Sequence, residues 1–283
     1  MALDSLRASL ARATRMGPWI AFELLAMIVA FVWLVLRTHG DDARLRLCLL
    51  LAFPASAIGA VGLGMVLRIP AWIRADFDAR ALIRDGELMA YGALLGLVVA
   101  YAAIAQMRGF DPARALDRLA PSLGALVAIA RVGCFVAGCD FGSPTHLPWG
   151  IRYAAGTAAF RAQLDAGLVT VGSGASMPVH PAQLYEAFVG VLAASVALAV
   201  DTARATSLSR STARRLPAGA TFVAAAATYA LGRAFVDVFR GDDRGMLGPL
   251  STPQWLSVAA LVYLGVRVIE ALLLASENAK EGA

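Results

Sequence analysis

Charged side chains are scarce in this sequence: Asp, Glu, Lys and Arg make up 16% of its 283 residues, whereas soluble domains carry about a quarter. Lysine is nearly absent, since Lys280 is the single example. The three cysteines are too few for a disulfide framework. These shortages exclude a soluble globular domain and a disulfide-stapled secreted scaffold.

Hydrophobic residues, in contrast, make up 59% of the chain, and its mean hydropathy is +0.67. Apolar runs of roughly the 20 residues that a helix needs to cross a bilayer recur from end to end. The sequence therefore predicts an all-α fold, a polytopic integral membrane bundle of about seven transmembrane helices. The predicted spans are Gly17–Leu36, Leu45–Leu67, Glu87–Met107, Ala115–Cys139, Gln183–Val200, Pro217–Phe239 and Thr252–Leu274.

The positive charge of the chain comes almost entirely from arginine. The net charge is +5 and the pI is near 9.5, but the arginines are scattered through short loops and form no basic stripe. That distribution fits anionic phospholipid headgroups better than nucleic acid. We expect the bilayer and its lipids to be partners, and no nucleic acid.

One longer segment, residues 140–182, separates the fourth and fifth predicted spans and is rich in Gly, Ser, Pro and Thr. It predicts an extracytoplasmic head segment within a single membrane-embedded domain, residues 1–283. Lys and Arg are distributed evenly on the two sides, eleven against eleven, so the positive-inside rule gives no orientation.

Polar residues are concentrated at helix ends that share one side of an alternating bundle. Ionisable groups at membrane depth cost about 2.5–3.5 kcal/mol each, so such a concentration indicates a functional site. The residues are Tyr91, Arg131 to Asp140, His180 to Glu186, Arg233 to Arg244, and Gln254.

Two arginines stand out within apolar stretches. Arg131 is either an anion-binding group in the bundle interior or a side chain that reaches out to the headgroups. Arg233 and Asp237 lie four residues apart on one helix face, so they form a salt bridge, a functional pair, or both. A guanidinium binds a phosphodiester through two parallel hydrogen bonds, and Asp237 would hold Arg233 in the required rotamer.

The segment from His180 to Glu186 begins a helix with a proline and places a carboxylate at membrane depth. A carboxylate at that depth needs a cationic or hydrogen-bonding partner. Arg131 or Arg233 is the predicted partner of Glu186.

These motifs carry a family resemblance. His180-Pro-Ala-Gln-Leu-Tyr-Glu186 resembles the H-P-x-Q-L-Y-E motif of the prolipoprotein diacylglyceryl transferases, and Arg131-Val-Gly-Cys-Phe-Val-Ala-Gly-Cys-Asp-Phe-Gly142 is similar to their R-x-G-N-F-x-N-G-E-x-x-G signature. Leu147-Pro-Trp-Gly150 follows at the usual distance. Arg233-Ala-Phe-Val-Asp-Val-Phe-Arg240 resembles the R-F-x-x-E-F-x-R segment, and Gln254 matches a glutamine that opens the last helix.

The resemblance implies transfer of a diacylglyceryl group from phosphatidylglycerol to the thiol of a lipobox cysteine in a secreted prolipoprotein precursor. It implies no cofactor and no metal. The implied catalytic residues are Arg131, Arg233, His180, Glu186 and Tyr91. The implied substrate-binding residues are Gly142, Gln183, Tyr185, Asp237, Arg240, Gln254, Cys134 and Cys139.

The resemblance also implies a location. Because the acceptor meets the enzyme after translocation, we expect a bacterial cytoplasmic (inner) membrane protein that crosses the bilayer several times. Its N-terminus is expected outside, its C-terminus in the cytoplasm, and its site open to the outer leaflet.

The chain departs from the family pattern at several positions. Tyr91 stands where the family has the histidine of an H-G-G motif, and Cys134, Ala137 and Cys139 replace two asparagines and an acidic residue. Tyrosine is a poor base at neutral pH. Three outcomes stay open: a thiol transferase with His180 or Glu186 as base, a transferase with another acceptor, or a non-catalytic lipid-binding or transport protein. The second is favoured, so we expect the chain not to replace an essential prolipoprotein transferase.

Cys134 and Cys139 have several interpretations. Residues five apart lie on different faces of an unbroken helix, which favours two packing residues. A disulfide between the two cysteines is a second alternative if Gly138 ends the helix. A reactive thiolate and a metal ligand are further alternatives, although no recognisable ligand spacing is present.

Overall fold

The computed structural model describes residues 2–74, 90–207, 216–242 and 246–281, and it is almost entirely helical. Its α-helices, in chain order, are α1 (Ala2–Arg37), α2 (Leu45–Arg74), α3 (Ala90–Met107), α4 (Pro112–Ala137), α5 (Ala158–Asp165), α6 (Ala182–Ser207), α7 (Ala220–Val236) and α8 (Thr252–Glu281). Short 3-10 turns cover Gly40–Arg44, Val171–Ser173 and Asp237–Phe239. Strands β1 (Met246–Leu247) and β2 (Leu250–Ser251) pair antiparallel, with Met246 opposite Ser251.

The predicted polytopic helical membrane bundle is confirmed. Among the described residues, six helices are long and apolar enough to cross a membrane: α1, α2, α4, α6, α7 and α8. The predicted count of seven is not confirmed, because the apolar part of α3 is shorter, Tyr91–Met107. The predicted start of that span, Glu87, lies outside the described residues.

The chain divides into two compact units, one formed by Met1–Ala30 with Ala120–Ala283 and the other by Phe31–Leu119. In the second unit, α2 and α3 approach through glycines. A Cβ on Gly59 would lie 2.2 Å from the carbonyl oxygen of Gly92, and one on Gly96 would lie 2.3 Å from that of Ala55. Small residues of this kind let two membrane helices pack backbone against backbone.

In the first unit, the segment between α4 and α6 has a small core of its own. Phe141, Tyr153, Ala159 and Val179 are buried together, and Val179 forms bridges with Pro144 and Ile151. The α5 helix is capped by Thr157, whose hydroxyl accepts a hydrogen bond from the amide of Phe160. The predicted head segment is therefore an ordered structure that rests on the ends of the membrane helices of this unit.

Three helix ends that bear site residues have local causes. The α4 helix ends at Ala137, two residues before the predicted Cys139, because Gly138 adopts φ +71°, a conformation that favours glycine. Pro181 stands directly before α6, and its carbonyl accepts from the amide of Tyr185. At the start of α8, Ser251 and Gln254 form a reciprocal capping box: each side chain accepts a hydrogen bond from the other's amide.

Candidate active site

The centre of the candidate site is the carboxylate of Glu186, which is fully buried in the first turns of α6. Its Oε1 accepts a hydrogen bond from the hydroxyl of Tyr229 at 2.8 Å. The same oxygen lies 3.1 Å from Nε of Arg131 and 3.3 Å from Nε of Arg233. Both candidate partners of Glu186 are therefore confirmed.

A third guanidinium lies beside the same carboxylate. Nη1 of Arg240 is 3.8 Å from Oε2 of Glu186, and the Arg240 side chain is 2% exposed. Arg131, Arg233 and Arg240 come from α4, α7 and the segment after α7, so the fold gathers three cations around one anion. Such a cluster is tolerated at membrane depth only because the charges compensate each other.

Arg131 points into the protein and is 6% exposed, so the interpretation that it reaches out to the headgroups is wrong. Besides Glu186 it contacts Asp140, with Nη1 to Oδ2 at 2.5 Å. Asp140 has φ +56°, which turns the chain back after Gly138. Its other oxygen, Oδ1, accepts from Arg240 at 2.9 Å.

Asp140 and Asp242 both flank Arg240 but respond differently to their surroundings. Burial acts to raise the pKa of Asp140, yet the charges of Arg240 and Arg131 outweigh it and hold that pKa at about 2. Asp242 is held by Nε and Nη2 of Arg240, both at 2.8 Å. For Asp242, burial outweighs this attraction and raises the pKa. Asp140 is thus a firmly ionised link between two arginines.

Arg233 and Asp237 form the predicted salt bridge within α7 and its 3-10 extension, with Nη1 to Oδ1 at 2.7 Å. The second oxygen of Asp237 accepts from the hydroxyl of Ser251. Ser251 in turn shares the capping box with Gln254. Gln254 is therefore used in fixing the start of α8 and in supporting Asp237, and its role in binding substrate stays a prediction.

Some polar atoms of the cluster lack hydrogen-bond partners within the described part of the chain. They are Oε2 of Glu186, Nε of Arg233 and Nη1 of Arg240. Buried polar atoms are nearly always paired, so unpaired ones at a site indicate a bound water or ligand. The 3.8 Å gap between Arg240 and Glu186 offers both a donor and an acceptor to such a ligand.

An aromatic group lies next to the ionic cluster. The Tyr185 hydroxyl accepts from the Trp149 indole at 2.8 Å and lies 3.3 Å from Nδ1 of His180. The ring of Phe239 lies against both His180 and Tyr185, with centroids 5.1 and 5.7 Å away. Trp149 is 54% exposed, which makes this group the partly open edge of the site.

Gln183 and Gly142 hold backbone segments together beside the cluster. The amide nitrogen Nε2 of Gln183 donates to the carbonyl of Cys139 at 2.6 Å and to the hydroxyl of Tyr153 at 3.1 Å. Burial raises the pKa of Tyr153 to about 12, so this hydroxyl stays protonated. A Cβ on Gly142 would lie 2.3 Å from the His180 carbonyl, which explains the glycine as a close backbone approach.

Most of the predicted site residues are thus close together in the first unit, but not all are. Tyr91 lies half-buried at the start of α3 in the second unit, so its part in the site stays a prediction. Glu23 of α1 lies close enough to Arg131 and Asp140 to interact with their charges.

Tyr229 and Ser251 were absent from the predicted site, and Asp140 and Asp242 lay within its ranges without a predicted role. Two local signals could have found some of them. Tyr229 precedes Arg233 by one helical turn and so shares its face. Ser251-Thr-Pro-Gln254 has the spacing of a capping box. The cross-chain contact between Asp140 and Arg240 has no local signature.

The fold and this site define a polytopic α-helical membrane protein with a buried cluster of arginines and carboxylates at the ends of its spans. Comparison with known sequences then identifies the group. The sequence model of the prolipoprotein diacylglyceryl transferases matches residues 16–269. The chain belongs to the prolipoprotein diacylglyceryl transferase family, a family of transferase enzymes, as its motifs predicted.

Individual relatives agree with this assignment. A phosphatidylglycerol–prolipoprotein diacylglyceryl transferase of Clostridium tetani is 27% identical over 207 residues, 72% of this chain and 73% of the relative. The enzyme of that name in Geobacter sulfurreducens is 30% identical over 177 residues, 61% of this chain and 57% of the relative. One in Mesorhizobium japonicum is 28% identical over 204 residues, 72% and 62% of the two chains.

Proposed function

We propose that the chain transfers the diacylglyceryl group of phosphatidylglycerol to the cysteine thiol of a prolipoprotein. The names of the relatives support both substrates. The observation that carries the proposal is the convergence of Arg131, Arg233 and Arg240 on Glu186 near the ends of α4, α6 and α7.

This cluster suits the headgroup of phosphatidylglycerol, which combines a phosphodiester with glycerol hydroxyls. Nε of Arg233 and Nη1 of Arg240 lie near Glu186 without a hydrogen bond, so they suit phosphate oxygens, and Oε2 of Glu186 suits a hydroxyl donor. Asp140 and Asp237 hold Arg131 and Arg233 in position. The site therefore provides positive charge on a rigid support, which is the arrangement that stabilises developing negative charge.

The transfer itself is a substitution at carbon. The acceptor thiolate attacks the glycerol carbon that bears the phosphate, a carbon–sulfur bond forms, and the carbon–oxygen bond breaks. The leaving glycerol phosphate takes the electron pair, and the arginines stabilise its negative charge. The proton of the acceptor thiol passes to a base, because the thiolate is the nucleophile.

His180 is the proposed base. Glu186 accepts a hydrogen bond from Tyr229 and is paired with two arginines, whereas His180 contacts Tyr185 and Phe239 at the open edge of the site. Imidazole is also the side chain best suited to take up and release a proton near neutral pH.

A second candidate function is transfer from phosphatidylglycerol to an acceptor other than a lipobox cysteine. One observation favours it: Tyr91 replaces the histidine of the family motif, and Cys134 and Cys139 change the signature segment at the same time. The arginines remain, so the lipid donor would be unchanged.

Purified protein incubated with labelled phosphatidylglycerol and a lipobox peptide tests the proposal. Release of glycerol phosphate together with labelled peptide is expected. Release that leaves the peptide unlabelled would favour the other acceptor. Binding of the lipid without any release would favour a non-catalytic lipid-binding or transport protein.

Expression of this chain in a strain depleted of its essential prolipoprotein transferase distinguishes the two candidate acceptors in cells. Growth with diacylglyceryl-modified lipoprotein in the mass spectrum supports the prolipoprotein as acceptor. Failure to grow, which Tyr91 considered by itself predicts, would contradict the lipobox cysteine as acceptor and favour the second candidate function. Growth with Tyr91→His, but not with the unchanged chain, would identify Tyr91 as the specificity change.

The location and domain organisation complete the proposal. A multi-pass protein of this family fits the bacterial cytoplasmic (inner) membrane. We place the N-terminus outside, the C-terminus in the cytoplasm and residues 140–182 on the extracytoplasmic side, within one membrane-embedded domain. Parity supports this orientation, since the site-bearing helix ends must face the side where secreted precursors emerge.

A further inference from the structure

Cys134 and Cys139 form a thiol pair at the edge of the ionic cluster. Both are free thiols; Cys134 is buried and Cys139 is partly exposed. The sulfur atoms of the two cysteines and a carboxylate oxygen of Asp140 all lie within 4.8 Å of one another. Sequence spacing alone placed these sulfurs on different faces of a helix, so their proximity needs a structural cause.

The cause is the way in which α4 ends. The amide of Gly138 donates to the carbonyl of Phe135, and the amide of Cys139 donates to the carbonyl of Cys134 at 3.2 Å. These two bonds, with Gly138 at φ +71°, are those of a Schellman motif. That motif brings the residue after the glycine back over the residue five positions earlier. Cys139 is thereby folded onto Cys134, and its sulfur lies 3.6 Å from the Cys134 carbonyl.

The glycine is required for this geometry. Its positive φ disfavours other residues, and a Cβ at position 138 would lie 3.1 Å from the Tyr153 ring and 3.3 Å from Thr157. Gln183 then fixes the turn through its 2.6 Å hydrogen bond to the Cys139 carbonyl. The two thiols are thus held close together by backbone geometry.

The charges around the pair favour thiol chemistry over metal binding. Nη1 of Arg131 lies 3.9 Å from the Cys134 sulfur, where its charge favours a thiolate and the burial of Cys134 opposes one. Both oxygens of Asp140 are already paired with Arg131 and Arg240. A metal ion would have to displace these pairs and lie next to two guanidiniums, which opposes its binding.

We propose that Cys134 and Cys139 form a reversible disulfide that changes the ionic cluster between a reduced and an oxidised state. The oxidant is a small-molecule or protein disulfide on the extracytoplasmic side, where disulfides form and persist; this part rests on the proposed orientation. A bond between residues 134 and 139 closes a short loop, so it restricts the unfolded chain less than a long-range disulfide would.

The exchange proceeds in two balanced steps. The thiolate of the more exposed Cys139 attacks the external disulfide, forms a mixed disulfide and releases one thiolate. The thiolate of Cys134 then attacks the Cys139 sulfur, forms the internal disulfide and releases the second thiolate. The two protons lost by the cysteines end on the two released thiols, and the external disulfide is reduced.

Oxidation alters the surroundings of Arg131. The Cys134 sulfur that now lies 3.9 Å from its guanidinium moves toward Cys139, and the turn held by Gln183 tightens. On the basis of the proposed function, we expect the oxidised form to bind phosphatidylglycerol with an affinity several-fold different from that of the reduced form.

Thiol trapping tests the disulfide without relying on activity. The purified full chain is equilibrated in mixtures of reduced and oxidised glutathione, quenched with acid, denatured, alkylated with a maleimide and digested with trypsin. Cleavage after Arg131 and Arg152 yields one peptide that contains both cysteines. In reducing mixtures this peptide is expected to carry two maleimides. In oxidising mixtures it is expected to carry none and to be lighter than the unmodified dithiol peptide by two hydrogen atoms. The glutathione ratio at which half of the chain carries the disulfide should be the same whether the starting protein is reduced or oxidised.

Single variants test the order of the steps. In Cys134→Ser, the partly exposed Cys139 should be trapped as a mixed disulfide with glutathione. In Cys139→Ser, the buried Cys134 should react more slowly. Cys48, which is buried in α2, serves as the internal control and should be alkylated after denaturation in every mixture.

Three results would overturn the disulfide. One is alkylation of both cysteines at every glutathione ratio. Another is a bridge only between two molecules, seen as a dimer on a non-reducing gel. A third is protection of both thiols by added zinc in a chain that forms no bridge, which would assign a metal site instead.

The effect on the cluster has its own test. Binding of phosphatidylglycerol vesicles is compared with and without oxidant, for the native chain and for the double variant Cys134→Ser, Cys139→Ser. The measured quantity is the ratio of vesicle binding with oxidant to vesicle binding without it. A several-fold departure of this ratio from one in the native chain, with a ratio of one in the variant, supports the switch. If the native chain forms the disulfide but binds vesicles equally in both redox states, the proposal that the disulfide controls the ionic cluster is wrong. Loss of transferase activity in all states would count against the proposed function alone.

Discussion

Nε of Arg131 lies 3.1 Å from Oε1 of Glu186, in the interior of a protein whose helices are surrounded by lipid. The two residues belong to α4 and α6, and neither side chain is more than 8% exposed. Arg233 and Tyr229 reach the same oxygen from α7. This shared carboxylate ties three helices together at the place where the motifs of the family meet, so stability and function depend on the same contacts.

Replacement of Arg131 or Arg233 by alanine is expected to lower turnover strongly. If each guanidinium stabilises the leaving phosphate, its loss costs about 2.7–4 kcal/mol, roughly a 100-fold to 1000-fold decrease in turnover. Glycerol phosphate release per folded molecule is the measurement, with folding checked by size-exclusion chromatography. Arg114→Ala is the matched control, because Arg114 is 81% exposed and its ion pair with Asp111 is worth about 0–1 kcal/mol. An equal loss in the control would contradict the assignment.

Glu186→Gln is expected to destabilise the protein, because it removes the anion that separates three buried cations. Breaking a buried ion pair costs roughly 3–5 kcal/mol. Glu270→Gln, which breaks the exposed pair with Arg267, should cost at most about 1 kcal/mol. Thermal unfolding followed by tryptophan fluorescence compares the two variants. If the cluster binds an anionic headgroup, phosphatidylglycerol should raise the melting temperature of Glu186→Gln more than phosphatidylcholine does; equal shifts would count against a headgroup site.

Asp140 predicts a pH dependence of stability. Its pKa is about 2 in the folded protein and about 3.9 in an unfolded chain. A lowered pKa stabilises the folded form above the unfolded value, and this contribution is lost as the pH falls from about 4 to about 2. The contribution at neutral pH is about 2–3 kcal/mol. The melting temperatures of the native chain and Asp140→Asn should therefore differ at pH 7 and converge near pH 2; a constant difference would contradict the ion pairs.

Reporter fusions are expected to establish the orientation. A phosphatase inserted into the head segment, at the exposed residues Gly172 to Gly174, should be active because that enzyme folds outside the cytoplasm. A fluorescent reporter that matures only in the cytoplasm should be bright when fused after Ala283. A dark fusion together with an inactive phosphatase would reverse the proposed topology.

The sequence alone determined that the protein lies in a lipid bilayer, and it located most of the helices. Apolar runs long enough for a bilayer predicted six of the spans that the structure describes, because each run must satisfy its backbone hydrogen bonds within one helix. The motifs also named the arginines and Glu186, since ionisable residues in such runs are otherwise too costly. These features are local, and the sequence displays them directly.

Only the tertiary structure decided how those residues are paired. Asp140 lies a hundred positions from Arg240, yet the two are joined at 2.9 Å because the segment after α4 folds back beside the end of α7. Cys134 and Cys139 would lie on different faces of an unbroken helix, but α4 ends before Gly138, and the Schellman turn there brings their sulfurs together. The side chain of Gln254 caps α8, which the sequence did not predict, and its expected role in binding substrate stays a prediction. Sequence fixes which groups are available, but their distances depend on helix ends and chain reversals whose geometry follows from packing across the whole unit.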